Sequence, residues 1–345
     1  MRLATYESPL DGGEVFGVVI GHEVFSLAAL QREAGREHPS LARMGTYACD
    51  PATAQSAAQG LVDYCQERII GGERSLAPHE RTDVGSVQLL APLPAPAGLL
   101  DFGLTPRHLR NAAMTLVRRE FKGVKRFIAK QVVLSKIRRA QAERSFAYYI
   151  GNHHALIGDN EVVGWPAYTS YLDIEPELAV ITGPPDQPIA GYTILNDLSA
   201  RDVQMPELDT LSLTRSKHFD RGNGLGPFLV TPDEVGDPRQ LAVTIRIGDR
   251  YQWDGTTREY SVSPEEAIRH LHGIFTPPPG LVVGLGTVPG CCGLDNDRWP
   301  LPGDAIEITF EKLGTLRQKL PERVSVETPS RWGERLELRP YLSTP

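Results

Sequence analysis

Six short apolar runs, at residues 177–182, 191–197, 228–231, 241–247, 280–285 and 305–310, are each bounded by Gly, Pro or Asp, and together they dominate the second half of the chain. Runs of this length suit strands and are too short for stable helices, so the chain must bring distant segments together into sheets. Glycine (33) and proline (28) together make about 18% of the 345 residues, against an average near 12%. So many turn formers exclude a helical bundle. The 41% apolar and 23% charged content is that of a folded globular protein, which excludes disorder. The predicted class is α+β, mostly β.

The N-terminal part has its own pattern. Strand-like stretches at 3–6 and 15–20 flank Asp11-Gly12-Gly13, and helical spacing follows over 53–70. The run LLAPLPAPAGLL at 89–100 carries Pro92, Pro94 and Pro96, each of which removes a backbone donor and fixes its own φ. This run reads as a linker between a small α+β domain at 1–95 and a second, β-rich domain at 96–345. Residues 108–145 contain no proline, and their apolar residues recur at helical spacing. Between Arg110 and Arg144 eleven Lys or Arg face two acids, Glu120 and Glu143. A long amphipathic helix, or a helix pair, that packs on the body or on a second subunit accounts for this stretch; a docking surface for an acidic partner is the rival reading.

The net charge of −7 argues against a protein that coats nucleic acid or anionic lipid. Cys49, Cys65, Cys291 and Cys292 make neither a disulfide framework nor a CxxC knuckle, so the adjacent pair is expected to be reduced and packed. The MRLATYE start has no apolar h-region, and no run nears the length that spans a bilayer. A cytoplasmic enzyme is the expected class.

The segment Glu175-Pro176-Glu177 stands at the mouth of a strand, where period-two alternation points both carboxylates to one face. Two like charges side by side repel, and a bound cation relieves them. Asp197 ends a second apolar run and Asp101 follows directly on the proline-rich segment. Any one of these reads first as a solvated carboxylate. Together they are hard oxygen donors, suited to Mg²⁺ or Ca²⁺, with Mn²⁺ a third choice, rather than zinc.

Longer strings point further. EPELAVITG at 175–183, NDLSARDVQ at 196–204, SKHFD at 216–220, GLGPFLV at 224–230 and GTVPG at 286–290 stand in this order. In sequence and order they closely resemble the fumarylacetoacetate hydrolase superfamily over about residues 100–312. The resemblance implies a mixed β-sheet roll with a small N-terminal α+β domain, and a homodimer. It also implies a divalent metal held by Glu175, Glu177 and Asp197. Asp101, seven residues before His108, matches the aspartate that members closest to fumarylacetoacetase add to the metal site. The same match makes His108 the catalytic histidine, oriented by Glu307. Lys217 falls at the family's active-site lysine, Arg201 and Gln204 match polar groups facing the substrate, and Thr287 matches a substrate-contacting threonine. The family's arginine for a terminal substrate carboxylate has no clean match: Val117 stands near its expected position, and Arg118 or Arg110 is the candidate substitute. Tyr149, just before His153 and His154, is a further candidate substrate contact.

The function so implied is hydrolysis of a carbon–carbon bond in a β-diketone or acylpyruvate-like compound through a metal-bound enolate. His108 would take the proton of the attacking water, with Lys217 and Gln204 donating to the oxyanion. Decarboxylation, hydration or isomerisation at the same metal enolate is the alternative, and a non-catalytic binder using the basic stretch 108–145 is a third. Plainer readings compete residue by residue. His108 could be a surface histidine at a helix start, Lys217 a solvated lysine, and Arg201 with Asp202 a structural ion pair. Adjacent histidines point apart in an extended chain, so His153 and His154 read as loop residues near the site entrance. Asp295 and Asp297 read as a solvated turn. The glycines at 222, 224 and 226 are followed by a proline and a strand, so they are no dinucleotide loop.

Overall fold

A computed structural model describes residues 1–142, 146–209 and 212–343. Strands β1 (Arg2–Glu7), β2 (Glu14–Ile20) and β3 (Glu23–Ser26) form a meander, followed by helices α1 (Leu27–Ala34), α2 (Met44–Cys49) and α3 (Pro51–Tyr64) and by β4 (Arg81–Asp83). Then come β5 (Gly98–Phe102), α4 (Pro106–Glu120), α5 (Gly123–Ala142) and β6 (Tyr148–Ile150). Short strands β7 (Leu156–Ile157), β8 (Glu161–Val162) and β9 (Leu172–Asp173) lead into β10 (Pro176–Thr182), β11 (Ile189–Asp197), β12 (Ser199–Ala200), α6 (Arg201–Asp209) and β13 (Asn223–Val230). The last third holds α7 (Pro232–Val235), β14 (Ala242–Ile247), β15 (Tyr251–Thr256), α8 (Pro264–His272), β16 (Leu281–Thr287), α9 (Gly293–Asn296), β17 (Ala305–Phe310) and β18 (Gly314–Lys319).

Among the described residues, the main sheet runs β4-β3-β2-β1-β13-β11-β10-β16-β5-β6, with β7 beside β13. It is mixed: β16 pairs β5 in parallel, whereas β10 pairs both β11 and β16 antiparallel. A second sheet runs β15-β14-β17-β18-β8. All six apolar runs are strands, and the α+β, mostly β class holds. The near-continuous apolar character of β10 and β11 follows from burial on both faces. Leu178 and Val180 face a core shared with Val243, Ile245, Ile306 and Ile308 of the second sheet. Ala179 and Ile181 face a core shared with Leu30, Met44, Ala58 and Leu61 of α1 to α3.

The helix expected over 53–70 begins at Pro51, where the Asp50 carboxylate caps the Thr53 N–H, and its winding widens from Cys65 to Ile70. The proline-rich run 89–100 is packed. Ala91 and Leu93 are buried, and the Thr5 hydroxyl donates to the Pro92 carbonyl at 2.6 Å. β1 joins the main sheet beside β13, so residues 1–7 continue the same sheet that carries β10 and β11.

The basic stretch is a helix pair. It breaks at Phe121 and Lys122, and Gly123, at φ +55°, starts α5. The left-handed conformation at this break favours glycine. α4 buries His108, Ala112, Leu116 and Val117, whereas α5 leaves Val124, Phe127, Ile128 and Val132 exposed. Residues 143–145, the end of the predicted stretch, lie outside the described residues. No helix among the described residues is long and apolar enough to cross a membrane.

Candidate active site

Four neighbouring strands of the main sheet bring the acids together. Asp101 on β5 stands opposite Gly284 of β16, Glu177 on β10 pairs with Thr287 of β16, and Asp197 is the last residue of β11. One oxygen from each of Asp101, Glu177 and Asp197 lies within 4.8 Å of the other two. The glycine is what lets them meet. A Cβ on Gly284 would stand 2.7 Å from both Asp101 Oδ1 and Glu177 Oε2, closer than real Cβ contacts come. Gly286 N–H donates to Glu177 Oε2 at 2.8 Å and fixes that carboxylate.

Glu175 lines the same cavity and lies outside this trio. It is bound by Lys217, which bridges it to Asp197, by Arg201 at 2.6 Å, by the Ser199 hydroxyl at 3.0 Å and by His108 Nε2 at 3.2 Å. Both glutamates thus face one cavity, as expected, and divide between a cation-bound position and the acidic cluster.

Burial raises the Asp101 carboxyl well above its usual range, with Glu177 and Asp197 adding to the rise. Burial likewise pushes Glu177 up to about 8. At Glu175 burial acts the same way, but Arg201, Lys217 and His108 outweigh it and hold the group well below the usual range. Lys217 shows the converse: burial opposes its charge, and Asp197 and Glu175 more than compensate, so the ammonium is retained. Arg201, also fully buried, is locked between Asp173 at 2.9 Å and Glu175.

His108 is buried in the first turn of α4 and does not meet Glu307. Its Nδ1 lies 2.9 Å from Asp295 Oδ1, and Cys292 Sγ is 3.8 Å away. Asp295 is itself held by Gly290 N–H at 2.7 Å and by the Asn111 amide at 3.2 Å. Burial disfavours the imidazolium, yet Asp295 and Cys292 overcome it and raise the His108 pKa well above the ordinary value. Glu307 sits on β17 of the second sheet, partly exposed, with Arg317 at 3.8 Å. The role expected for Glu307 is corrected by the alternation of that strand. Ile306, Ile308 and Phe310 point into the core, so Glu307 must point away from it.

The reading of Asp295 as a solvated turn is corrected as well, because its side chain is fully buried. Asp297 pairs with Arg119 at 2.6 Å. Arg201 does not pair with Asp202, which accepts from the Thr169 hydroxyl instead. Gln204 accepts from Arg201 Nη1 at 3.1 Å, and Gln204, Thr287 and Tyr149 all line the cavity. Burial and the Asp197 and Asp101 carboxylates push the Tyr149 phenol well up. His153 and His154 form a short 3₁₀ turn in which their rings approach to 4.1 Å, contrary to the expected divergence, and they do not line the cavity. Arg110 and Arg118 do not line it either. Cys291 and Cys292 are free and buried, as expected.

The donor set suits a hard divalent cation. Asp101 Oδ1 and Asp197 Oδ1 are buried with no hydrogen-bond partner among the described residues, an arrangement costly for ionised carboxylates and relieved by a cation or, at Asp101, by the proton its raised pKa retains.

Residues 127–321, more than half of the chain, match the family model described as fumarylacetoacetate (FAA) hydrolase C-terminal. Curated relatives include uncharacterized proteins of Staphylococcus aureus strains USA300 and NCTC 8325, 30% identical over 173 residues, or 47% of this chain and 57% of each relative. The chain therefore spans only a little over half the length of these relatives. Among solved structures, maleylpyruvate hydrolase from Sphingobium sp. SYK-6, in complex with manganese(II) ion and pyruvate, is 21% identical with a TM-score of 0.62, covering 93% of this chain and 99% of that one. A 5-carboxymethyl-2-hydroxymuconate delta-isomerase from Mycobacterium smegmatis is 20% identical at TM-score 0.60, over 93% and 99% of the two chains. A 2-keto-3-deoxy-D-arabinonate dehydratase complexed with magnesium and 2,5-dioxopentanoate is 20% identical at TM-score 0.60, over 94% and 99%. At these identities the likeness is one of fold. With the family match across β10, β11, β13 and β16, the chain belongs to the fumarylacetoacetate hydrolase family.

Proposed function

We propose that this protein is a divalent-metal-dependent hydrolase that cleaves a carbon–carbon bond in an acylpyruvate-like 1,3-dicarbonyl compound. The observation that carries this reading is the meeting, in one cavity, of the Asp101, Glu177 and Asp197 cluster with a His108–Asp295 pair. Asp101, Glu177 and Asp197, with Glu175 beside them, would hold magnesium, calcium or manganese. The cation, when bound, supplies Lewis acidity toward the two oxygens of the dicarbonyl.

The chain's own residues account for the rest. Asp295 fixes His108 Nδ1, and Nε2, which faces the cavity beside Glu175 at 3.2 Å, is the nitrogen that would exchange a proton with a bound water. Water adds to one carbonyl carbon, the bond to the central carbon breaks, and that carbon takes a proton; the products are a carboxylic acid and a 2-oxo acid. Gln204, its oxygen engaged by Arg201, offers its amide N–H groups, and the charged Lys217 offers its ammonium, to the oxyanion that forms. Each well-placed donor of this kind contributes about 3–4 kcal/mol.

The isomerase and dehydratase that share the fold support a second reading, in which the same residues act without water attack on carbon. Turnover of an acylpyruvate in ¹⁸O-water separates the two. Hydrolysis places label in the new carboxylate, and His108→Ala should stop product formation while manganese still binds. Unlabelled product, or unimpaired turnover by the variant, would refute the hydrolase.

The glycine between the acids gives a further expectation. Gly284→Ala should weaken manganese binding by about 10- to 100-fold, since a methyl there forces the carboxylates apart. Calorimetric titration of the chelator-treated variant measures it, and wild-type affinity would show that the cluster is not the metal site.

A further inference from the structure

Beyond the carboxylates the cavity, about 360 Å³, changes character. Its outer wall is built by Leu109, Ala113 and Leu116 of α4, spaced so that they share one helix face, by Val133 and Ile137 of α5, and by Leu208 of α6. Leu109 and Leu208 are 40% and 42% exposed although they border a concave site, so apolar surface there stands open to water. The buried charge lies on the floor. Arg201 and Lys217 are held by Asp173, Glu175 and Asp197, and among the described residues that line the cavity the exposed Lys136 is the one other Lys or Arg. A second carboxylate on the substrate would lie against leucine and valine with only the exposed Lys136 to face it, and would leave that apolar surface uncovered. An apolar group there would instead cover the exposed leucines.

We infer that the substrate carries an uncharged apolar tail, alkyl or aryl, on its dicarbonyl head, seated between α4, α5 and α6. This rests on the reading of the carboxylate end as a metal-dependent dicarbonyl site, and it names the part of the substrate that this reading leaves open. Leu109, Ala113, Leu116, Val133 and Ile137 are then specificity-determining residues.

Titration calorimetry of the full chain loaded with manganese tests it with three probes: oxamate, N-hexyloxamate and N-(5-carboxypentyl)oxamate. Burial of each methylene tightens binding by up to about fourfold, so N-hexyloxamate should bind at least about tenfold more tightly than oxamate. The carboxylate-ended probe should lose that gain. Ala113→Phe, which fills the wall, should cut the ratio of N-hexyloxamate to oxamate affinity to about threefold or less. Equal affinity of oxamate and N-hexyloxamate, or preference for the carboxylate-ended probe, overturns the tail while leaving the dicarbonyl head in place. Failure of the loaded protein to bind oxamate at all overturns the dicarbonyl reading, and the tail with it.

Discussion

Asp295→Asn lowers kcat by about 10²- to 10⁴-fold, and Glu307→Gln leaves it within about twofold. The first effect follows from the geometry at His108. Asp295 Oδ1 accepts from Nδ1 at 2.9 Å, while Gly290 N–H and the Asn111 amide hold Oδ2, so the carboxylate cannot turn away. Asparagine keeps the shape but can present an N–H to Nδ1, which drives the ring to the wrong tautomer and withdraws the proton exchange at Nε2. It also removes the charge that, against burial, keeps the imidazole pKa high, so the pH profile of kcat should shift to lower pH. A merely structural role would alter stability without moving that profile. Glu307 serves as the control, because its side chain lies on the other sheet beside Arg317. Steady-state kinetics of both variants across pH, with manganese affinity measured in parallel, checks the pair. Wild-type kcat in Asp295→Asn, or a collapse in Glu307→Gln, would reverse the assignment.

Chelator-treated protein should lose stability as pH rises, and Glu177→Gln should remove much of that loss. Burial raises the Glu177 carboxyl from 4.5 to about 8 in the folded state. A carboxyl raised on folding favours the protonated native form. Its contribution is complete below the unfolded value, near 4.5, and disappears as pH rises through about 8. The difference between wild type and Glu177→Gln across that window is of order 5 kcal/mol, at about 1.4 kcal/mol per pH unit. Asp101, raised by burial and by the same neighbours, acts in the same direction. Urea unfolding of both proteins at pH 5, 7 and 9 reads the difference directly. Manganese should restore stability to the wild type at high pH, by about 2.7 kcal/mol at a hundredfold excess over Kd, and fail to restore it to the variant. Parallel pH profiles for the two chelated proteins would show that burial does not raise the Glu177 carboxyl in the folded state.

The strands were legible because their cause is local. β10 and β11 are buried on both faces, so their residues are apolar almost throughout, and β17 alternates because one face is covered. That alternation also held the signal against Glu307, since an acid between Ile306 and Ile308 has to face away from the core. The acidic cluster was legible in part. Glu177, Asp197 and Asp101 each stand at or near the end of an apolar run, but only the order of strands β11, β10, β16 and β5 makes them neighbours. Gly284, whose missing side chain gives the acids room, carries no mark in the sequence that separates it from the chain's other glycines.

The sequence by itself determined the strand-rich class, the family and the residue types of the site, because these depend on period-two burial and on strings of adjacent residues. Which carboxylate orients His108, and how Glu175 parts from Glu177, was decided only by tertiary structure. The Asp295 contact spans 187 positions along the chain and depends on α9 folding against the start of α4. The apolar wall likewise exists only because α4, α5 and α6 converge over the carboxylates, a matter of packing between elements that no local pattern encodes.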